Sequence, residues 1–209
     1  KILHLLANKD AVYNADGKSQ LIATNRVLGT SIPYAGEYGI SKNPESFASK
    51  GFKSYFTDKN RGVVLRLERN GIIPISEHGM KDWFSDNLKN ANVITGSFDE
   101  KKSIYNVTLK NSDDATVDTT VSFAEKTNGW VSFKSWIQES GLSINGKFYT
   151  FNGGNLYEHE SNLTRNNFYG TQYTSTIDVL LNEAPNAVKS FQTLKYSGSQ
   201  ARITQNRLT

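Results

Sequence analysis

Hydrophobic and polar residues alternate through much of the chain. Val63, Leu65 and Leu67 oppose Val64, Arg66 and Glu68, and Tyr105, Val107 and Leu109 oppose Asn106, Thr108 and Lys110. Val131 and Phe133 alternate with Ser132 and Lys134, Tyr149 and Phe151 bracket Thr150, and Ile177, Val179 and Leu181 alternate with Asp178 and Leu180. A period of two predicts strands with one buried and one wet face. Four dipeptides that tolerate positive φ, Asp16-Gly17, Asn70-Gly71, Asn128-Gly129 and Asn145-Gly146, punctuate these runs and predict tight hairpin turns. Together the signals predict strands over residues 20–26, 53–57, 62–69, 72–75, 93–98, 103–110, 119–125, 130–136, 147–151, 155–159, 174–181 and 192–197.

Helical signals are few and short. Asn43 precedes Pro44 as a capping residue would, Met80, Phe84 and Leu88 recur four apart across residues 79–88, and residues 185–191 have room for another turn or two. None is long enough to cover a parallel sheet, which argues against alternating βαβ units. The expected fold class is mainly β: antiparallel sheets of propeller-blade-like or sandwich type with a few short helices. Residues 1–52 read as an N-terminal loop-rich segment leading into the sheet, 53–183 as a β-rich propeller-like domain and 184–209 as a basic C-terminal segment. A propeller blade takes roughly 40–50 residues, so the chain has room for about four, and an incomplete ring would leave sheet edges for neighbouring subunits to complete.

Composition narrows the chemistry. At 209 residues the chain can bury a real core, and no apolar run approaches the ~20 residues of a membrane helix. Cysteine is absent, which removes disulfides, thiolate metal sites and cysteine nucleophiles together. Lys and Arg total 24 against 20 Asp and Glu, and the whole excess of +4 resides in residues 184–209, where Lys189, Lys195, Arg202 and Arg207 have no acid among them. Such a cluster is ordinarily a solvated face; its functional reading is contact with an acidic partner or a phosphate backbone. The chain opens at Lys1 rather than Met, which reads as a start inside a longer translation product.

No catalytic, cofactor or metal site emerges from the motifs. His4, His78 and His159 lack ligand-like spacing, and although His159 lies between Glu158 and Glu160, an extended strand points those carboxylates to the opposite face, leaving a partly exposed polar strand end. Asp58-Lys59-Asn60-Arg61-Gly62 resembles the start of a calcium loop but runs into strand without the later ligands, so a hairpin loop is expected. Asp113-Asp114 reads as a solvated loop, and no nucleophile elbow or conspicuous carboxylate pair is present. Trp83, Trp130 and Trp136, with the many Tyr and Phe residues, fall mostly on the apolar register and are assigned to core or subunit interface. Residues 27–40, with Gly29, Gly36 and Gly39, read as a structured loop that docks on something.

Particular stretches carry a resemblance. Tyr34-Ala-Gly-Glu-Tyr-Gly-Ile40, Asn43-Pro-Glu-Ser-Phe47, Tyr55-Phe-Thr-Asp58, Arg61-Gly-Val-Val-Leu-Arg-Leu67 and Ile75-Ser-Glu-His-Gly-Met80 resemble a module of large bacteriophage virion structural proteins. Gly129-Trp-Val-Ser-Phe-Lys-Ser135, Gly146-Lys-Phe-Tyr-Thr-Phe151, Leu156-Tyr-Glu-His159 and Asn182-Glu-Ala-Pro185 extend the likeness over about residues 8–206. The chain is similar to tail (muzzle) proteins of crAss-like phages, in particular to their C-terminal portion. The resemblance implies a virion location in the tail and a non-enzymatic structural subunit of the muzzle or a tail ring, which contributes to tail assembly and to the DNA exit channel. It implies partners among other tail proteins and copies of itself, together with the rest of a larger precursor. A further expectation is contact with a partner or with packaged DNA through Lys189, Lys195, Arg202 and Arg207. It supplies no cofactor and no catalytic residue. The competing expectation is a tail-associated receptor-binding or glycan-degrading β-domain, which requires facing carboxylates about 5–9.5 Å apart or an exposed aromatic platform.

Overall fold

The computed structural model describes residues 1–111, 118–179, 185–190, 192–193 and 195. Packing divides the chain into two compact units, Lys1–Thr174 and Ser175–Thr209, where the sequence suggested a boundary at 183/184. The first unit is mainly β and antiparallel throughout.

It begins with a long hairpin of β1 (Leu3–Tyr13) and β2 (Ser19–Pro33). This replaces the loop-rich segment expected over residues 1–52. One 3-10 turn (Pro44–Ser46) follows, where the Asn43 side chain does not cap; its carbonyl instead accepts from the Ser46 amide and hydroxyl. A first four-stranded sheet then forms in the order β3 (Ala48–Lys50), β4 (Lys53–Asp58), β5 (Val63–Glu68) and β6 (Gly71–Pro74). Helix α1 (Lys81–Asn90) sends Phe84 and Leu88 inward, four residues apart as the sequence requires. The second sheet has the order β10 (Gly129–Lys134), β9 (Thr119–Ala124), β8 (Ile104–Lys110) and β7 (Val93–Asp99). A third, β11 (Ser140–Ile144), β12 (Lys147–Asn152) and β13 (Asn155–Glu158), is followed by the two-residue strands β14 (Asn167–Phe168) and β15 (Thr171–Gln172). No sheet closes on itself among the described residues, so the propeller-like arrangement has no support here.

The main core lies where the two four-stranded sheets and α1 meet. Tyr55 from β4 stacks on Phe98 and Tyr105 at 5.3 and 4.9 Å, and Phe84 packs on Trp130 at 4.5 Å. An ion-pair cluster joins the two sheets: the Arg66 guanidinium on β5 donates to Glu125 at 2.9 Å, Glu68 at 3.1 Å and Asn128 at 3.2 Å. Lys53 pairs with the same Glu125. Burial disfavours charge on both Arg66 and Glu125, yet the surrounding partners together outweigh it, Glu125 and Glu68 for the guanidinium and Lys53, Tyr55 and Arg66 for the carboxylate, so the Arg66 value is raised and the Glu125 value lowered.

The expected wet face of the second sheet is a correction. Asn106, Thr108, Thr120 and Ser122 are all buried. Their short polar groups satisfy one another across β8 and β9: Ser122 donates to Asn106 at 2.6 Å, and the Thr108 and Thr120 hydroxyls lie 2.6 Å apart. The segment leading into the third sheet covers them. Trp136 accepts from Thr120 at 2.7 Å, and fully buried Gln138 accepts from Ser97 at 2.7 Å. A Cβ at Gly141 would lie 2.8 Å from the Ser97 Cβ, so β11 crosses β7 closely enough to demand glycine.

Two further expectations fall differently. Residues 174–179 form no strand, and Ile177 and Val179 are exposed, because alternation makes a strand only where a neighbour supplies the ladder. Residues 185–190 make a turn and no helix. Residues 192, 193 and 195 carry no strand assignment, while positions 180–181, 194, 196–197 and Asp113-Asp114 lie outside the described residues.

Candidate functional site

The residues singled out from charge lie in the second unit. Lys189 is half-buried and Lys195 exposed, while Arg202 and Arg207 lie outside the described residues. The loop of residues 34–40 docks within its own unit: the Gly39 amide donates to Asp58 at 3.0 Å, and the Ser41 hydroxyl to the same carboxylate at 2.8 Å. With the Arg61 amide and guanidinium also on it, Asp58 caps a 3-10 turn (Lys59–Arg61) inside a hairpin loop. Among the described residues no group of three or more His, Asp or Glu converges as a metal site would need. His4 stacks on Tyr34, and His78 Nδ1 lies 2.8 Å from the Asn128 carbonyl.

A different region gathers chemistry. A cavity of about 480 Å³ opens where β13 runs into residues 159–170, lined by Tyr157, His159 and Tyr169 and by the polar side chains of Asn162, Arg165 and Asn166. The third sheet positions its wall. Tyr149 on β12 lies opposite Glu158 on β13, and Thr150 lies opposite Tyr157. Thr150 is fully buried, and its hydroxyl lies 2.7 Å from both His159 Nε2 and the Tyr169 hydroxyl.

His159 is not the polar strand end its flanking glutamates suggest. Its ring packs against Trp136 and Phe148, each at 5.0 Å, and within 6.3 Å of Phe168 and Tyr169. Burial in that apolar shell, reinforced by the Lys102 charge, pulls its pKa to about 4, so the imidazole is neutral at pH 7. Tyr169 and Gly170 form the tight turn between β14 and β15 with φ of 53° and 81°. Two positive φ values suit a two-residue hairpin, but a bulky side chain at the first costs of order 1–3 kcal/mol. The hydroxyl contact with Thr150 and the 4.6 Å packing on Tyr157 hold the ring there.

Both carboxylates of the site are committed to cations. Glu160 accepts from Lys101 at 2.8 Å and from Lys102, and these hydrogen bonds hold its pKa at about 2. Glu158 is held below the usual carboxylate range by Lys147 at 2.9 Å and by the Tyr149 hydroxyl at 3.1 Å, against a smaller effect of burial. A glycosidase needs one carboxyl raised so that it keeps its proton at neutral pH. Neither glutamate has that character. The arrangement suits binding: aromatic faces, amides and a guanidinium around a half-open cavity.

Residues 163–209 match the family model of the Crassvirus muzzle protein C-terminal domain. A search of curated proteins finds no match. The family match supports the C-terminal portion of a crAss-like phage muzzle protein and indicates a virion tail component. The matched segment begins inside the cavity loop, so Thr164 to Gly170 belong both to it and to the cavity wall.

Proposed function

We propose that the chain is a non-enzymatic structural subunit of the phage tail muzzle, which assembles with copies of itself and with adjacent tail proteins around the DNA exit channel. The observation that carries this reading is the β1–β2 hairpin. At ~3.4 Å per residue the 11-residue β1 reaches about 37 Å, and Leu5, Val12, Tyr13, Leu21, Val27 and Leu28 along the ribbon are all exposed. A two-stranded ribbon is marginal in water without a third strand or a packed face. Its strands of 11 and 15 residues together match the roughly 20–30 residues per side of a stable protein interface. Free edges and exposed apolar side chains on one element are what a neighbouring chain covers.

The test is to replace Leu21, Val27 and Leu28 with serine in the phage gene. All three side chains are exposed and none belongs to the packed core, so the substitutions leave the core of the unit unaltered. The expected outcome is tails that lack this subunit or fail to complete. Particles assembling at normal yield with the variant incorporated would overturn the assembly role of the hairpin.

A further inference from the structure

The cavity beside His159 has a composition that the assembly role does not use. We infer that it is a binding site for a neutral saccharide of about disaccharide size. A volume of about 480 Å³ lies within the ~300–1,000 Å³ of small-molecule sites. Sugars present weakly apolar C–H faces together with many hydroxyls, and they are held by aromatic rings plus planar amide and guanidinium groups. Tyr157 and Tyr169 supply the rings, 4.6 Å apart and inclined at 51°.

Hydrogen-bonding capacity is left over. The Tyr157 hydroxyl, the Arg165 guanidinium and the Asn166 side-chain amide have no hydrogen-bond or ion-pair partner among the described residues, and all three residues line the cavity. Asn162 donates to Asn167 at 3.3 Å and accepts from the Thr164 amide at 2.6 Å, which fixes the loop without consuming those groups.

Charge decides against an anionic ligand. Lys102 and Arg165 in the wall are balanced by Glu158 and Glu160, and Lys102 is already engaged by Glu160. An anion would meet two carboxylates, whereas a neutral polyol can donate to them. The strained Tyr169 backbone fits the same reading, since strain persists where surrounding contacts hold a side chain in a functional position.

The inference stands apart from the tail assignment, so failure of either leaves the other open to its own test. The full 209-residue chain is titrated separately with cellobiose, maltose, lactose and N,N′-diacetylchitobiose, and with inorganic phosphate. Binding is followed by calorimetry and by amide chemical-shift mapping. The expected result is saturable binding of at least one disaccharide, with the largest shifts at residues 157–170 and none with phosphate. Arg165→Gln, on an exposed side chain that leaves the fold intact, and Tyr157→Ala each weaken binding by tenfold or more. Absence of binding for all four sugars, shifts centred elsewhere, equal affinity in Arg165→Gln, or a response to phosphate alone would overturn the inference.

Discussion

A single imidazole sets an acid sensitivity. His159 titrates near 6.5 when unfolded and near 4 in the fold. Between those values the unfolded chain holds a proton that the folded chain excludes, so unfolding takes up a proton and stability falls as pH drops through that window. Above about pH 6.5 the contribution is fully present. Glu160 acts lower down: its stabilisation is present above 4.5 and is lost as pH falls towards 2. Thermal unfolding followed from pH 7 to 4.5 should show a falling midpoint in the native chain and a flatter profile in His159→Gln. Equal slopes would mean that the imidazole is hydrated in the fold. Glycines separate packing from conformation at the same scale. A Cβ at Gly96 would lie 2.0 Å from the Ser46 carbonyl oxygen, which also accepts from Tyr105 at 2.7 Å. Gly96→Ala should therefore cost about 3 kcal/mol by overpacking. Gly146, at φ 73° with nothing within 4 Å, should lose only about 1–2 kcal/mol on substitution by alanine, from left-handed strain. Denaturant midpoints of the two variants test that order.

At the scale of elements, the joint between the two main sheets rests on Arg66 and Glu125. Glu125→Gln removes one counterion from a guanidinium with a side chain only 9% exposed, while Glu68 and Asn128 remain, so a loss of about 3 kcal/mol is expected. Replacing Arg66 and Glu125 together by methionine should restore most of it, because the charges left behind, Lys53 and Glu68, are more exposed and of opposite sign; a double variant as unstable as the single one would refute this account. The strands that carry this joint are legible in the sequence. From β4 to β10 alternation and Asn-Gly turns agree with the ladder because each strand has at least one apolar face to bury. The first strand is not legible: Leu3-His4-Leu5-Leu6-Ala7 has no alternation, both faces of the ribbon meet solvent over most of its length, and the register shifts at Leu5/Ala7 and Ala7/Lys9. Nor is β11, where Gly141 looks like a strand breaker until Ser97 and Gln138 are seen against it. The cavity was hidden for a related reason. His159 reads as polar beside two glutamates, whereas Trp136, Phe148 and Phe168, which bury it, are brought in by the fold from the connection between β10 and β11, from β12 and from β14. The local sign was Tyr169-Gly170, a turn dipeptide with an unusual first residue.

For the whole molecule, the distribution of charge between its two units limits what the basic end can do. Ser175–Thr209 carries Lys189, Lys195, Arg202 and Arg207 but also Asp178 and Glu183, so its field is modest. A role for those four cations in lining the DNA channel makes a quantitative demand. Four phosphate contacts release counterions with a slope of about −3.6 in log affinity against log salt, enough for weak binding near physiological ionic strength and almost none at high salt. Such binding suits a channel, since DNA that must leave cannot be gripped. Fluorescence anisotropy of a short duplex with the full chain should follow that slope. Reversing the four charges, as Lys189→Glu, Lys195→Glu, Arg202→Glu and Arg207→Glu, should abolish binding and alter DNA retention or ejection from particles. If the reversed variant binds duplex as the native chain does, and its particles package and eject normally, the basic segment does not contact DNA. The assembly role would then rest on the apolar hairpin, whose association through exposed Leu21, Val27 and Leu28 should depend far less steeply on salt over the same range.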